Sequence, residues 1–183
     1  MKSAPTWHSD GKTIYYSKKP KYPDKTGSKY FDIFEYNFET EKEIRLTKGT
    51  RGFSPVFIQS DSSISFIATN DGNQNLFKFD LKKNSISQLT KFKNRKIIHT
   101  LHYNSDKNWL IFDHTDNHFR NIGYYSFADS TFGDFIHNDY WDERDMTIST
   151  SGEIFYSDDR SGIFNLYQID EKNGKQGYVT NVT

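Results

Sequence analysis

The sequence predicts an all-β protein, a β-propeller of four consecutive four-stranded antiparallel blades, and three observations carry that prediction. Between Phe53 and Thr90, four apolar-rich runs are separated by three turn signals, the pattern of an antiparallel meander. A closing Leu-Thr stands at Leu46-Thr47 and, 43 residues on, at Leu89-Thr90; it returns as Val179-Thr180, 90 residues beyond Leu89. A third-strand marker recurs as Asp32-Ile33-Phe34, Asn75-Leu76-Phe77, Asn121-Ile122-Gly123 and Asn165-Leu166-Tyr167, at spacings of 43, 46 and 44. A period of roughly 40 to 50 residues carrying four strands is the signature of propeller blades.

The first copy, 3–47, opens with Trp7 and then the hairpin signal Asp10-Gly11, where glycine accepts the positive φ the turn demands. Thr13 to Ser17 forms its second strand, and a polar, proline-bearing insertion from Lys18 to Lys29 precedes strands at Phe31 to Phe38 and Glu43 to Thr47. The second copy, 53–90, is the cleanest, with turns at Ser60 to Ser63 and Asn70 to Asn73. In the third, 97–135, Trp109 to Phe112 and Asn121 to Phe127 flank a loop from Asp113 to His118, and Ser130 to Phe135 is the outer strand. It has neither Ser-Pro nor Leu-Thr. The fourth, 144–180, runs from Met146 to Ser149 through Glu153 to Ser157, Phe164 to Ile169, a turn at Asn173-Gly174, and Tyr178 to Thr180.

Composition narrows the function classes. Lys plus Arg equals Asp plus Glu at 24 each, so no global field favours nucleic acid or an anionic membrane. Aromatic residues form 17% of the chain, which suits many short half-buried strands in which Phe and Tyr supply the buried area. No apolar run approaches the roughly 18 residues needed to span a bilayer. Cysteine is absent, which removes disulfides, thiolate metal sites and cysteine nucleophiles. Four whole units and little else read as a segment of a longer chain: an open arc of a six- to eight-bladed ring, 1–183 forming one partial domain whose missing blades the rest of the chain supplies.

The repeat also carries a family resemblance. Ser-Pro-x-aromatic, Ser-x-Asp-Gly-Lys, Ser-Asp-x-Arg-x-Gly, Asn-Leu-Tyr and a closing Leu-Thr resemble the repeat of TolB-like β-propellers, with related units in the propellers of tricorn-type and prolyl-oligopeptidase-type peptidases. The matching residues are Pro5, Trp7, Ser9, Asp10, Gly11 and Lys12 in the first copy and Ser54, Pro55 and Phe57 in the second. In the fourth they are Ser157, Asp158, Arg160, Gly162, Asn165, Leu166 and Tyr167. The resemblance implies a periplasmic or extracellular, bacterial, protein-binding module of the cell envelope.

Alternate turns of an up-and-down blade lie at opposite ends of its strands. The second-to-third-strand loops therefore share a face with the interblade linkers: 18–29, 70–74, 113–118 and 158–162 with 48–52, 91–95 and 134–144. Binding sites form on such loops. There Tyr140 and Trp141, residue types that dominate interface hot spots, are weighed against simple packing between blades. With Arg95, His114, His118, Asp158 and Arg160 they are the candidate binding residues. Arg160 is expected to pair with a carboxylate, and its Asp-x-Arg-x-Gly loop looks structural by the resemblance.

Other constellations read as ordinary turn chemistry. Ser9-x-x-Lys12 lies in a hairpin where no helix can form, and no Gly-x-Ser-x-Gly elbow occurs, so no catalytic residue is assigned. His114, Asp116 and His118 alternate as zinc ligands could, but in a polar loop; Asp71-x-Asn73-x-Asn75 lacks the Gly and distal Glu of a calcium loop. No metal and no cofactor is expected. Lys91 to Lys96 interleaves bases with Phe92, a solvated linker rather than a nucleic-acid site. Asn181-Val182-Thr183 is a glycosylation sequon by pattern only. The expectation is thus a non-catalytic module whose loop face takes a protein or peptide, with no nucleic acid and no membrane insertion. The alternatives are the substrate-gating propeller of a serine peptidase whose catalytic domain lies outside 1–183, and a sugar- or metal-binding propeller.

Overall fold

A computed structural model describes residues 3–23, 27–93, 95–116, 118–170 and 175–180, the side chains of Asp116, Asp170, Lys175 and Gln176 aside. Among the described residues there is no α-helix, and the strands form four separate four-stranded antiparallel sheets, each with its strands in chain order or the reverse. The polypeptide divides into two compact units, Met1–Arg95 and Lys96–Thr183.

The first unit holds β1 (Thr6–Trp7), β2 (Thr13–Lys18), β3 (Asp32–Asn37) and β4 (Lys42–Arg45), then β5 (Phe53–Ile58), β6 (Ser63–Asn70), β7 (Asn73–Asp80) and β8 (Ser85–Gln88). Turn chemistry sets these limits. Asp10 accepts the amides of Lys12 and Thr13 at 2.8 and 2.9 Å, closing the β1–β2 hairpin around Gly11. At the two-residue β6–β7 turn both central positions have positive φ, Asp71 at 48° and Gly72 at 78°, the type I′ geometry that follows the strand twist. The turn after β5 is a single 3-10 turn over Gln59–Asp61. Ser54-Pro55 marks a bulge, for the β5–β6 register shifts between Phe53 and Val56, and a proline with no N–H fits where a ladder bond is missing. Between the two sheets lie Tyr15, Ile33, Ile64, Phe66, Ala68 and Phe79, each large apolar side chain there contributing about 1.5–3 kcal/mol.

The repeated Leu-Thr closes each sheet. The Thr47 hydroxyl accepts the Ile33 amide at 2.9 Å and donates to Asp32 at 3.1 Å. Thr90 does the same with Leu76 and Asn75, both at 3.0 Å, and Thr180 with Leu166 and Asn165 at 2.9 and 3.2 Å. Each threonine sits just past the outer strand, so one side chain completes the ladder after the backbone has left it. The third copy has Ile136 at the threonine's position, paired with Ile122 in the ladder itself, and keeps the neighbouring bond: the Asn138 amide donates to Asn121 Oδ1 at 2.8 Å, as the Phe92 amide does to Asn75 in the second copy.

The second unit holds β9 (Ile97–Asn104), β10 (Trp109–Asp116), β11 (Phe119–Ser126) and β12 (Thr131–Ile136), then β13 (Glu143–Ile148), β14 (Ile154–Asp158), β15 (Asn165–Asp170) and β16 (Lys175–Tyr178). Its core joins Ile111, Ile122 and Ile136 to Met146, Ile154, Tyr156 and Tyr167. Several limits differ from the sequence expectation, among them the last outer strand, which ends at Tyr178 where the sequence places its start. The 113–118 segment is mostly strand, since β10 and β11 pair all the way from Trp109 opposite Ser126 to Asp116 opposite Phe119. The outer strand β12 runs one residue further, to Ile136, with a register shift opposite Ile122/Gly123. The fourth sheet begins at Glu143 rather than Met146, because Glu143 and Arg144 pair with Asp158 and Ser157 across a bulge. The Asn173-Gly174 turn and the Asn181 sequon lie outside the described residues.

Gly123 explains why the third copy looks so different. The marker position pairs Phe34 with Tyr16, Phe77 with Phe66 and Tyr167 with Tyr156 in the other three sheets. In the third, Gly123 faces Phe112, and a Cβ there would stand 2.9 Å from the Phe132 ring and 3.1 Å from that of His114. The volume of the missing aromatic has moved to two neighbours.

Candidate functional site

In the second unit antiparallel order gathers the β10–β11 turn, the β12–β13 connection (137–142) and the β14–β15 loop (159–164) at one end. Asn138 shapes the connection. Its Oδ1 accepts the amides of Tyr140 and Trp141, each at 2.8 Å, an Asx turn, while its Nδ2 donates to Glu143 Oε1. Asp142 adds a second tie: its Oδ1 accepts the Arg120 amide at 2.9 Å, and its own amide donates to Asp159 at 3.0 Å. The backbone is thereby fixed beneath Tyr140, whose side chain is 78% exposed and lies 5.8 Å, ring to ring, from Trp141. Trp141 is half-buried, and its indole N–H donates to Glu143 Oε1 at 2.9 Å.

Behind this pair lies a buried polar cluster. Glu143 and Asp158 are cross-strand partners, both wholly buried. Asp158 takes three bonds from Arg160: the amide at 2.7 Å, Nε at 2.8 Å and Nη2 at 2.5 Å. The same guanidinium donates to the Tyr156 hydroxyl at 3.2 Å and lies 4.4 Å over the Tyr167 ring and 5.5 Å over Trp141. One cation therefore serves two carboxyl groups. Burial, and then the Asp158 charge, push Glu143 up to about 8, against the opposing pull of Trp141, Arg160 and Asn138. The shift favours the neutral acid form of Glu143 near neutral pH, and its Oε2 has no partner among the described residues.

The structure thus brings Tyr140, Trp141, Asp158 and Arg160 together. Asp158 and Arg160 act inside, as the brace behind Trp141, and Tyr140 is the side chain that faces outward. His118 stands exposed in the β10–β11 turn. His114 is not in a loop at all: it is fully buried on β10, its Nε2 2.9 Å from Asp134 and its Nδ1 3.3 Å from Lys96. The side chain of Asp116, its partner in the alternating pattern, lies outside the described residues. Arg95 belongs to the first unit, exposed, with its amide on Asn73 Oδ1 at 3.1 Å. Sequence reasoning passed over Asn138 and Glu143. Asn138 was findable as an Asx residue two and three positions before an aromatic pair, whereas nothing in a charged linker marks Glu143 as buried.

The sheets and their closing threonines define the class of the molecule: a segment of β-propeller. No protein-family model and no curated protein matches the sequence. Solved structures do. TolB from Acinetobacter baumannii is 21% identical over 98% of this chain and 43% of its own, with a TM-score of 0.75. A putative TolB from Agrobacterium tumefaciens is 14% identical, over 93% of this chain and 62% of its own, with a TM-score of 0.73. The β-propeller domain of the trilobed protease from Pyrococcus furiosus is 15% identical, over 99% and 57%, with a TM-score of 0.68. The fold is that of the TolB-like propellers, and at these identities the likeness is one of fold. The chain spans less than two thirds of each of these structures.

Proposed function

We propose that this chain is part of a non-catalytic propeller module that binds a protein or peptide through the loop end of its second unit. The observation that carries the reading is Tyr140, a large aromatic side chain left 78% exposed on a backbone fixed by Asn138 and Asp142. A pre-set backbone lowers the ordering cost of association, and an exposed Tyr beside a half-buried Trp is the composition of an interface anchor. The TolB-like repeat supports a place in the bacterial cell envelope. A photo-crosslinking residue at 140 tests the reading: a discrete adduct in an envelope extract is expected, with none from the same residue at Phe127, on the opposite end of the unit. Equal labelling from both positions would overturn it.

The likeness to a protease propeller favours a second reading, in which the module gates access to a hydrolase. A Gly-x-Ser-x-Gly segment encoded in the same reading frame would carry that reading over the first.

A further inference from the structure

Charge is unevenly distributed over the first unit. The β2–β3 connection, the β4–β5 linker, the β6–β7 turn and the stretch after β8 all emerge at one end of its two sheets. Among the described residues they expose eight Lys and Arg side chains, three in 19–31 together with Lys48, Arg51, Lys91, Lys93 and Arg95, against one exposed acid, Asp71. None of the eight joins an ion pair among the described residues. Elsewhere in the same unit most cations are paired, Lys12 with Glu39, Lys18 with Glu43, Arg45 with Asp32, Lys78 with Asp61 and Lys83 with Asp80. Among the described residues, a chain of zero formal charge has thus gathered cations outside ion pairs on one surface of this unit.

The linkers that carry them are held in place. The buried Asp32 carboxylate accepts the amides of Gly49 and Thr50 at 3.1 and 2.9 Å, and the Gly52 amide donates to Phe31 at 2.8 Å, bracketing Arg51 at φ 56°. One repeat later Asn75 accepts the Phe92 amide at 2.6 Å and Asn73 the Arg95 amide, with Arg95 at φ 59°. Two arginines of the left-handed region stand on successive linkers of the repeat, Arg51 beside the buried Asp32 that closes its sheet and Arg95 tied at the surface to Asn73.

We infer that this loop end of the first unit is a docking surface for an acidic polypeptide segment, a run of Asp and Glu side chains. Unpaired, exposed and pre-positioned cations steer and hold carboxylates. A single-stranded nucleic acid fits less well, because it needs open aromatic faces on which bases stack. Among the described residues of this end Tyr22 alone is a large exposed ring, at 70%, and Lys21 lies 5.4 Å over it, while the half-buried Tyr30 and Phe31 carry Arg51 at 4.5 Å and Lys19 at 5.3 Å. The inference extends the binding-module reading by giving the first unit its own partner chemistry, and its test does not depend on Tyr140.

Fluorescence anisotropy of the full chain with a labelled twelve-residue glutamate-rich peptide provides the test, with a lysine-rich peptide and a thymidine oligonucleotide as competing probes. The glutamate peptide binds, and its Kd rises about tenfold or more between 50 and 300 mM NaCl. The double variant Arg51→Glu/Arg95→Glu weakens it at least about tenfold with the melting temperature unchanged, while Lys82→Glu/Lys83→Glu, at the opposite end of the same sheets, stays within about twofold. Tyr140→Ala leaves this affinity intact, so failure of one reading is distinguishable from failure of the other. No binding of the glutamate peptide, tighter binding of the oligonucleotide, or an equal loss in the Lys82/Lys83 variant would each overturn the assignment.

Discussion

Glu143 makes the stability of this protein depend on pH in a direction opposite to that of a typical salt-bridged carboxylate. The group is ordinary in the unfolded chain, near 4.5, and raised to about 8 in the folded one by burial beside Asp158. Below pH 4.5 both states are protonated and the group contributes nothing. Between pH 4.5 and 8 the unfolded chain releases a proton that the folded chain keeps, so stability falls by roughly 1.4 kcal/mol per pH unit, to a limit of about 5 kcal/mol. Glu143→Gln retains an acceptor for the Trp141 and Asn138 donors and cannot ionise. Paired urea titrations of the two chains from pH 5.5 to 7.5 should diverge by about 3 kcal/mol, and their melting temperatures by roughly 6–12 °C. The half-buried His99 and His102, whose lowered values oppose acidification, are common to both chains and cancel in the difference. Whatever the amide costs in absolute stability, only the slope is at issue. Parallel profiles would refute the placement of a neutral Glu143 against Asp158.

Thr90→Val keeps the shape of the side chain but strands the Leu76 amide and leaves the Asn75 carbonyl with the Phe92 amide alone, and should lower stability by about 1–3 kcal/mol in urea denaturation, against less than about 0.5 kcal/mol for Thr131→Val on an exposed strand. Asn138→Ala removes the side-chain donor to Glu143 and the acceptor for the Tyr140 and Trp141 amides; a loss of about 2–3 kcal/mol is expected, with faster hydrogen exchange at those two amides. Gly123→Ala should cost about 1–3 kcal/mol by overpacking against His114 and Phe132, and in the His114→Ala background that cost should fall by at least about half, a coupling read from a double-mutant cycle.

The parts of the fold that could be read from the chain are those whose cause is local and repeated. Leu-Thr, Asn-Leu and Asp-Gly each solve one problem of backbone satisfaction within a single sheet, and the solution recurs because the problem does. Thr47 and Thr90 stand 14 residues from the amides they accept, a distance fixed by one strand, one turn and one strand. His114 and Glu143 were illegible for the converse reason: their burial is set by what faces them across strands, Asp134 and Gly123 for the one, Asp158 for the other. The third copy shows the difference most clearly. Its marker strand carries Gly where the others carry an aromatic, which reads as a decayed repeat, yet His114 and Phe132 fill the space and Ile136, at the position of the closing threonine, pairs with Ile122 in the ladder. Side-chain volume and hydrogen bonding are kept while the residues that supply them change places. A repeat motif therefore detects a blade best when each task stays at its usual position, and exposed loop residues, which no ladder constrains, fall outside what periodicity can reveal.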